Sequence, residues 1–197
     1  MTELIIKNLT GNQIHPYLDE LARLRIEVFR EYPYLYDGSV AYETEYLTSY
    51  AACPESLVVG AFKGDRLVGA STGLPMMDAA DEFKAPFQAR GQDIDTIFYF
   101  GESVMEKACR GTGIYARFFA EREGYARSLG RFDLVCFCAV ERPADHPARP
   151  SGYRPLDDYW NRRGYTRHPE LTTRFLWKDL DEAEESPKKM VFWTKPV

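Results

Sequence analysis

The spacing of hydrophobic positions changes several times along the chain, and each change marks an element. Leu4 to Leu9, with β-branched Ile5 and Ile6, reads as a strand that stops at the turn-prone Thr10-Gly11-Asn12. Leu18, Leu21, Leu24, Val28 and Phe29 then recur at helical spacing, with Pro16 suited to a first turn and Pro33 opposing continuation past Glu31. Residues 42–50 repeat the helical pattern more weakly. Leu57 to Phe62 and Leu67 to Leu74 flank Lys63-Gly64-Asp65, a hairpin signal that predicts an antiparallel pair. Residues 75–95 have weak periodicity and read as a long connection with room for a short helix.

Residues 95–105 predict a strand in which Phe98, Phe100, Glu102 and Val104 share one face. A glycine-bearing loop follows at 106–113. Ile114, Phe118, Tyr125 and Leu129 then mark an amphipathic helix that Gly130 can cap. Leu134 to Val140 is a buried-type strand, so strand, helix and strand predict a right-handed parallel crossover. Residues 141–155 carry Pro143, Pro147, Pro150 and Pro155 with Arg142, Arg149 and Arg154, and read as a loop. A short helix over 156–163 ends at Gly164. Two closing strands, 171–178 and 189–194, flank the acidic stretch 179–185.

Composition narrows the class. A chain of 197 residues, 45% hydrophobic and 28% charged, predicts one globular domain over 1–197. Its net charge of −5 disfavours nucleic-acid and anionic-membrane surfaces, which need clustered positive charge. The start, MTELIIKNLT, lacks a signal-peptide pattern, and no apolar run is long enough to span a membrane. The four cysteines, with Cys136 and Cys138 two apart in a strand-like run, do not form a disulfide framework, so a cytoplasmic location is expected. The three histidines stand alone, and no metal site is expected.

The segment from Glu102 to Tyr115 carries the candidate chemistry. A strand enters a basic loop, Arg110-Gly111-Thr112-Gly113, and then a helix, which is an anion-binding arrangement of backbone N–H groups, helix dipole and one full charge. Gly111 to Ala116 also satisfies the loose pattern G-x-G-x-x-A, but Glu106 to Arg110 separate it from the strand and the expected acid is misplaced. A tight surface turn with a solvated Arg110 is the third reading.

The order of elements and two motifs favour the anion loop, because together they resemble the GNAT superfamily of N-acetyltransferases over nearly the whole chain. Arg110-Gly-Thr-Gly113-Ile-Tyr115 is similar to that family's Q/R-x-x-G-x-G/A loop, with Tyr115 in place of a small residue. Tyr159-Trp-Asn-Arg-Arg-Gly164-Tyr165 looks like its Y-x-x-x-G-F signature, and alignment on Gly164 places Trp160 at the usual tyrosine. The late strand ending Met190-Val-Phe-Trp193 completes the order. The resemblance implies an α+β domain with a mostly antiparallel twisted sheet of about seven strands, a splayed parallel pair at its centre and flanking helices.

It also implies an acetyl-CoA-dependent transferase that acetylates a primary amine of a small molecule by direct attack. Alternatives are a protein N-acetyltransferase and a non-catalytic acyl-CoA-binding module. Acetyl-CoA would lie along the backbone of Val104 and Met105, with its diphosphate on the amides of Arg110, Gly111, Thr112, Gly113, Ile114 and Tyr115. Glu102 is the candidate base, against a structural ion pair with an arginine such as Arg122. Tyr159, about 100° around a helix from Trp160, is the neighbouring candidate acid. Cys109, beside Arg110, reads chiefly as packing. Tyr32, Tyr34 and Tyr36 are candidate acceptor contacts, offering flat surfaces and hydroxyls, and the 142–154 arginines are candidate anion contacts. The expected partner is a small-molecule amine, with no nucleic acid and no membrane, and a homodimer is left open.

Overall fold

The computed structural model describes residues 4–197. Strands β1 (Leu4–Leu9), β2 (Leu57–Lys63), β3 (Arg66–Pro75), β4 (Ile97–Met105), β5 (Leu134–Val140), β6 (Thr166–Trp177) and β7 (Ser186–Pro196) form one sheet in the order β1-β2-β3-β4-β5-β7-β6. All neighbours are antiparallel except β4 and β5. Helices α1 (Leu18–Phe29), α2 (Val40–Ala52) and α3 (Asp81–Gln88) cover one face, and α4 (Ile114–Ser128) and α5 (Asp157–Arg162) the other. The single-domain, mixed-sheet expectation and the parallel crossover are both met.

Two-faced strands explain the layers. In β5, Cys136 and Cys138 join the core under α1 to α3, while Val135 and Phe137 join the aromatic core under α4. In β7, Phe192 and Trp193 divide in the same way. The α2 helix is longer than its weak pattern suggested because Ser39 caps it, accepting the Tyr42 N–H at 3.3 Å. Strand β6 begins before its hydrophobic run, at Thr166, because an irregularity between His168 and Thr172 absorbs Pro169, Glu170 and Leu171.

One break in alternation positions the site. Ser71 pairs with Ser103 but Gly73 pairs with Phe100, so two residues of β4, Gly101 and Glu102, oppose Thr72 alone. The extra residue inverts the phase of the strand. Phe98 and Phe100 pack under α4, whereas Glu102 and Val104 turn to the α1 and α2 side. This corrects the expectation that all four share one face. Glycine is required at the bulge, since a Cβ on Gly101 would lie 2.3 Å from the Tyr50 hydroxyl and 2.5 Å from Thr72 Oγ1. That Oγ1 accepts the Glu102 N–H at 3.2 Å and holds the bulge.

Candidate active site

Strands β4 and β5 pair only where Ile97, Phe98 and Tyr99 meet Leu134, Val135 and Cys136. Beyond Tyr99 the two diverge, and a cleft of about 1100 Å³ opens along Gly101 to Met105 on one side and Phe137 to Val140 on the other. A second cavity, about 370 Å³, lies on the α1 and α2 side. Phe29, Tyr34, Gly101, Glu102 and Cys138 line both. The two spaces therefore meet at the bulge.

The glycine loop lies at the end of β4. Gly111 and Gly113 adopt φ of +77° and +83°, the left-handed region that favours glycine, and a Cβ on either would meet nothing within 4 Å. The Thr112 hydroxyl donates to the Cys109 carbonyl at 2.7 Å and fixes the turn, while Cys109 itself packs with Ile114 and Phe118. Among the described residues, the amides of Gly111, Thr112, Gly113, Ile114 and Tyr115 have no hydrogen-bond acceptor. Five free donors at the start of a fifteen-residue helix suit a diphosphate. The Arg110 amide is not among them, since it donates to the Lys107 carbonyl at 3.1 Å.

The Arg110 side chain also differs from expectation. Its guanidinium pairs with both Glu31 oxygens, at 2.9 and 3.0 Å, and donates to the Met105 carbonyl at 3.2 Å. Against the opposing effect of burial, Arg110 and Lys107 hold the Glu31 carboxyl below the usual range. Arg110 thus ties the end of β4 to the residues after α1 instead of pointing along the free amides. Arg110→Ala should weaken acetyl-CoA by about tenfold or less in a calorimetric titration, below the ~1.5–3 kcal/mol of a direct charge-assisted phosphate contact.

Backbone direction corrects one contact. The Glu102 N–H points at Thr72, and the Glu106 N–H donates to the Val68 carbonyl, so the intervening Val104 also turns its polar backbone toward β3. Val104 is absent from the cleft wall, and Ser103 and Met105 are the residues that face the gap.

Glu102 is 5% exposed and lies where the cavities meet. Its Oε2 pairs with Arg25 of α1 at 2.5 Å, and the same guanidinium holds Glu43 of α2. Burial would lower the Arg25 pKa, but Glu102, Tyr46 and Glu43 raise it well above its ordinary value. The partner is not Arg122. That residue, buried between Phe100 and Phe119, donates to the Thr72 and Glu102 carbonyls and to Ser103 Oγ on the opposite face. Glu102 Oε1 is buried and has no partner.

The tyrosines separate by position. Tyr159 does not line the cleft: its hydroxyl is buried without a partner and its ring packs on Tyr115 and Phe119. The turn of α5 directs Trp160 into the cleft instead, which removes Tyr159 as the acid. The Trp160 indole N–H donates to the Tyr115 hydroxyl at 3.1 Å, and Tyr115 also lines the cleft. Sequence alone does not single out this hydroxyl, because Tyr115 reads there as a departure within the loop.

Tyr32 lines the cleft against Tyr153, Tyr34 lines both spaces, and Tyr36 lines the smaller one. Leu35 between them adopts φ +56°, strained for a branched residue. Arg142 holds this segment, donating to the Pro33 and Tyr34 carbonyls at 2.8 and 2.7 Å while pairing with Asp179 at 2.6 Å. Arg142 is therefore occupied, while Arg149 and Arg154, the other two loop arginines, line the cleft wall.

No group of residues that could hold a metal occurs among the described residues, and none of their helices is long and apolar enough to cross a membrane. No family profile matches the sequence, and neither does any curated protein. Solved structures do match. A ribosomal-protein-alanine N-acetyltransferase from Brucella melitensis superposes with a TM-score of 0.63 at 12% identity, over 98% of this chain and 99% of that one. A GNAT-family acetyltransferase from Streptococcus pneumoniae gives 0.59 at 11% identity, over 99% and 100%. An aminoglycoside 6'-N-acetyltransferase complexed with coenzyme A gives 0.57 at 16% identity, over 98% and 96%. With its seven-stranded sheet and a parallel pair that separates after three residues, the chain has the fold of the GNAT superfamily of N-acetyltransferases.

Proposed function

We propose that the chain is an acetyl-CoA-dependent N-acetyltransferase, cytoplasmic, acting on a primary amine of a small molecule by direct attack. The observation that carries this reading is the β4–β5 gap, with five free amides at one end and Glu102 at the junction with a second cavity. The amides of Gly111 to Tyr115 hold the diphosphate, and the gap-facing backbone of Ser103 and Met105 holds the pantetheine arm. Acetyl-CoA supplies the thioester carbonyl that the amine attacks.

Glu102 Oε1, the unpartnered oxygen, takes a proton from the amine while Arg25 fixes the carboxylate from the other side. Tyr115 supplies the proton for the departing sulfur. Burial pushes its hydroxyl up to about 12 despite the Trp160 hydrogen bond, so it carries a proton at neutral pH. Since the indole N–H already fills one acceptor position, the phenol's own proton is free to be given elsewhere. Tyr115→Phe should lower kcat by roughly 10- to 100-fold with acetyl-CoA affinity retained, as read by steady-state kinetics and calorimetry. Burial likewise pushes the Cys138 thiol up to about 12, which disfavours an acyl-enzyme and supports direct attack.

Likeness to a ribosomal-protein-alanine N-acetyltransferase keeps a protein amine as the second reading, and Trp160 at the usual tyrosine keeps a non-catalytic module as the third. A titration with acetyl-CoA, combined with CoA-release assays on small amines and peptides, separates them. Turnover with small amines supports the proposal, turnover with peptides alone supports the second reading, and binding without turnover supports the third.

A further inference from the structure

The smaller cavity narrows the acceptor, an inference that rests on the acetyl-transfer reading above. Its wall is mostly aromatic. Phe83 stacks on Tyr99 at 4.6 Å and on Phe175 at 4.9 Å, which makes one flat side, and Tyr36, Tyr42 and Trp177 add further rings. Its volume of about 370 Å³ falls at the small end of ligand sites.

Its polar lining is acidic. Glu43 and Glu102 each have one buried oxygen, Oε1, with no partner, while Arg25 takes the other oxygen of both. One guanidinium against two carboxylates leaves an excess negative charge in a place where a bare carboxylate oxygen is costly. On the same lining Lys178 is paired with Asp37 at 3.0 Å, and exposed Glu185 adds further negative charge. The Tyr36 hydroxyl on the same wall interacts with the Glu43 carboxylate, and a ligand donor between the two glutamates supplies what Oε1 of each still lacks.

We propose that this cavity takes a primary ammonium ion carried on a flat apolar body, an arylalkylamine-type acceptor, and excludes amines that bear a carboxylate beside the nitrogen. The ammonium donates to Oε1 of Glu43 and Glu102, and the rings cover the body. One nitrogen proton passes to Glu102 and then to water. The nitrogen lone pair forms the C–N bond; as the C–S bond breaks, nitrogen loses its second proton and Tyr115 gives one to the departing sulfur, that second nitrogen proton restoring the phenol, so that one proton in all is released to water.

The test uses 2-phenylethylamine, its neutral isostere 2-phenylethanol and its carboxylated counterpart phenylalanine, titrated calorimetrically into the full chain at neutral pH without acetyl-CoA. The amine should bind one to one, at least about tenfold tighter than the alcohol, and phenylalanine should not bind. Glu43→Gln should remove most of the preference for amine over alcohol. Tyr42→Ala, at a residue that is 47% exposed and so tolerant of change, should weaken both ligands about threefold and serves if Glu43→Gln fails to fold. Equal affinity for amine and alcohol, or a preference for phenylalanine, overturns the assignment. CoA release separates the two levels: acetylation of peptides or amino acids but not of 2-phenylethylamine rejects the acceptor class and leaves acetyl transfer standing. Amine binding by a chain that does not bind acetyl-CoA rejects the transferase reading and leaves the cation site.

Discussion

Glu102→Gln should lower kcat/KM by about 10² to 10⁴ while leaving acetyl-CoA affinity within roughly threefold of wild type. Glutamine keeps the size of the side chain and one acceptor oxygen but cannot take the amine proton. The base must be free of its proton to act, so activity rises with pH along the acidic limb of the kcat/KM profile, and that limb should disappear in the variant. Stability should change little, since Arg25 keeps Glu43 as its carboxylate and the variant removes the excess negative charge. The two roles separate because lost packing alone would lower the thermal midpoint and leave the pH profile in place. Wild-type turnover with an intact acidic limb would show that another group or a water chain takes the proton.

Arg25→Met should cost about 3–5 kcal/mol of folding stability, the usual consequence of removing one partner from a buried charge cluster. The guanidinium is enclosed by Tyr46 and Phe29, at 4.4 and 5.1 Å from the ring centroids, and methionine can fill much of that space. What it cannot replace is the positive charge that Glu43 and Glu102 share. Urea denaturation of the variant beside wild type measures the loss, and a deficit below about 1 kcal/mol would show that the two carboxylates do not depend on this guanidinium.

The sequence showed the order of elements because hydrophobic period and glycine punctuation are local signals. Gly111 and Gly113 could be read as an anion loop for the same reason, and both do adopt the left-handed backbone. What failed was non-local. The alternation of Phe98, Phe100, Glu102 and Val104 is a sound pattern for a regular strand, but the bulge opposite Thr72 reverses half of it. Gly101, a glycine inside a strand, was the one local sign of that bulge. The partners of Glu102 and Arg110 come from α1 and from Glu31, far along the chain, and nothing in the spacing announces them. Tyr115 has the same character: its role as a hydroxyl depends on Trp160 reaching it from α5.

Binding of acetyl-CoA is the step on which every other assignment depends, and calorimetric titration of the wild-type chain beside Gly113→Val measures it directly. Valine at φ +83° is strained by roughly 1–3 kcal/mol, and its relaxation would disturb the free amides even though the space beside Gly113 is open. Wild type should bind acetyl-CoA at one site, Glu102→Gln should bind alike, and Gly113→Val should lose at least about tenfold in affinity while remaining folded by circular dichroism. No binding by the wild-type chain, or equal binding by Gly113→Val, would contradict the account.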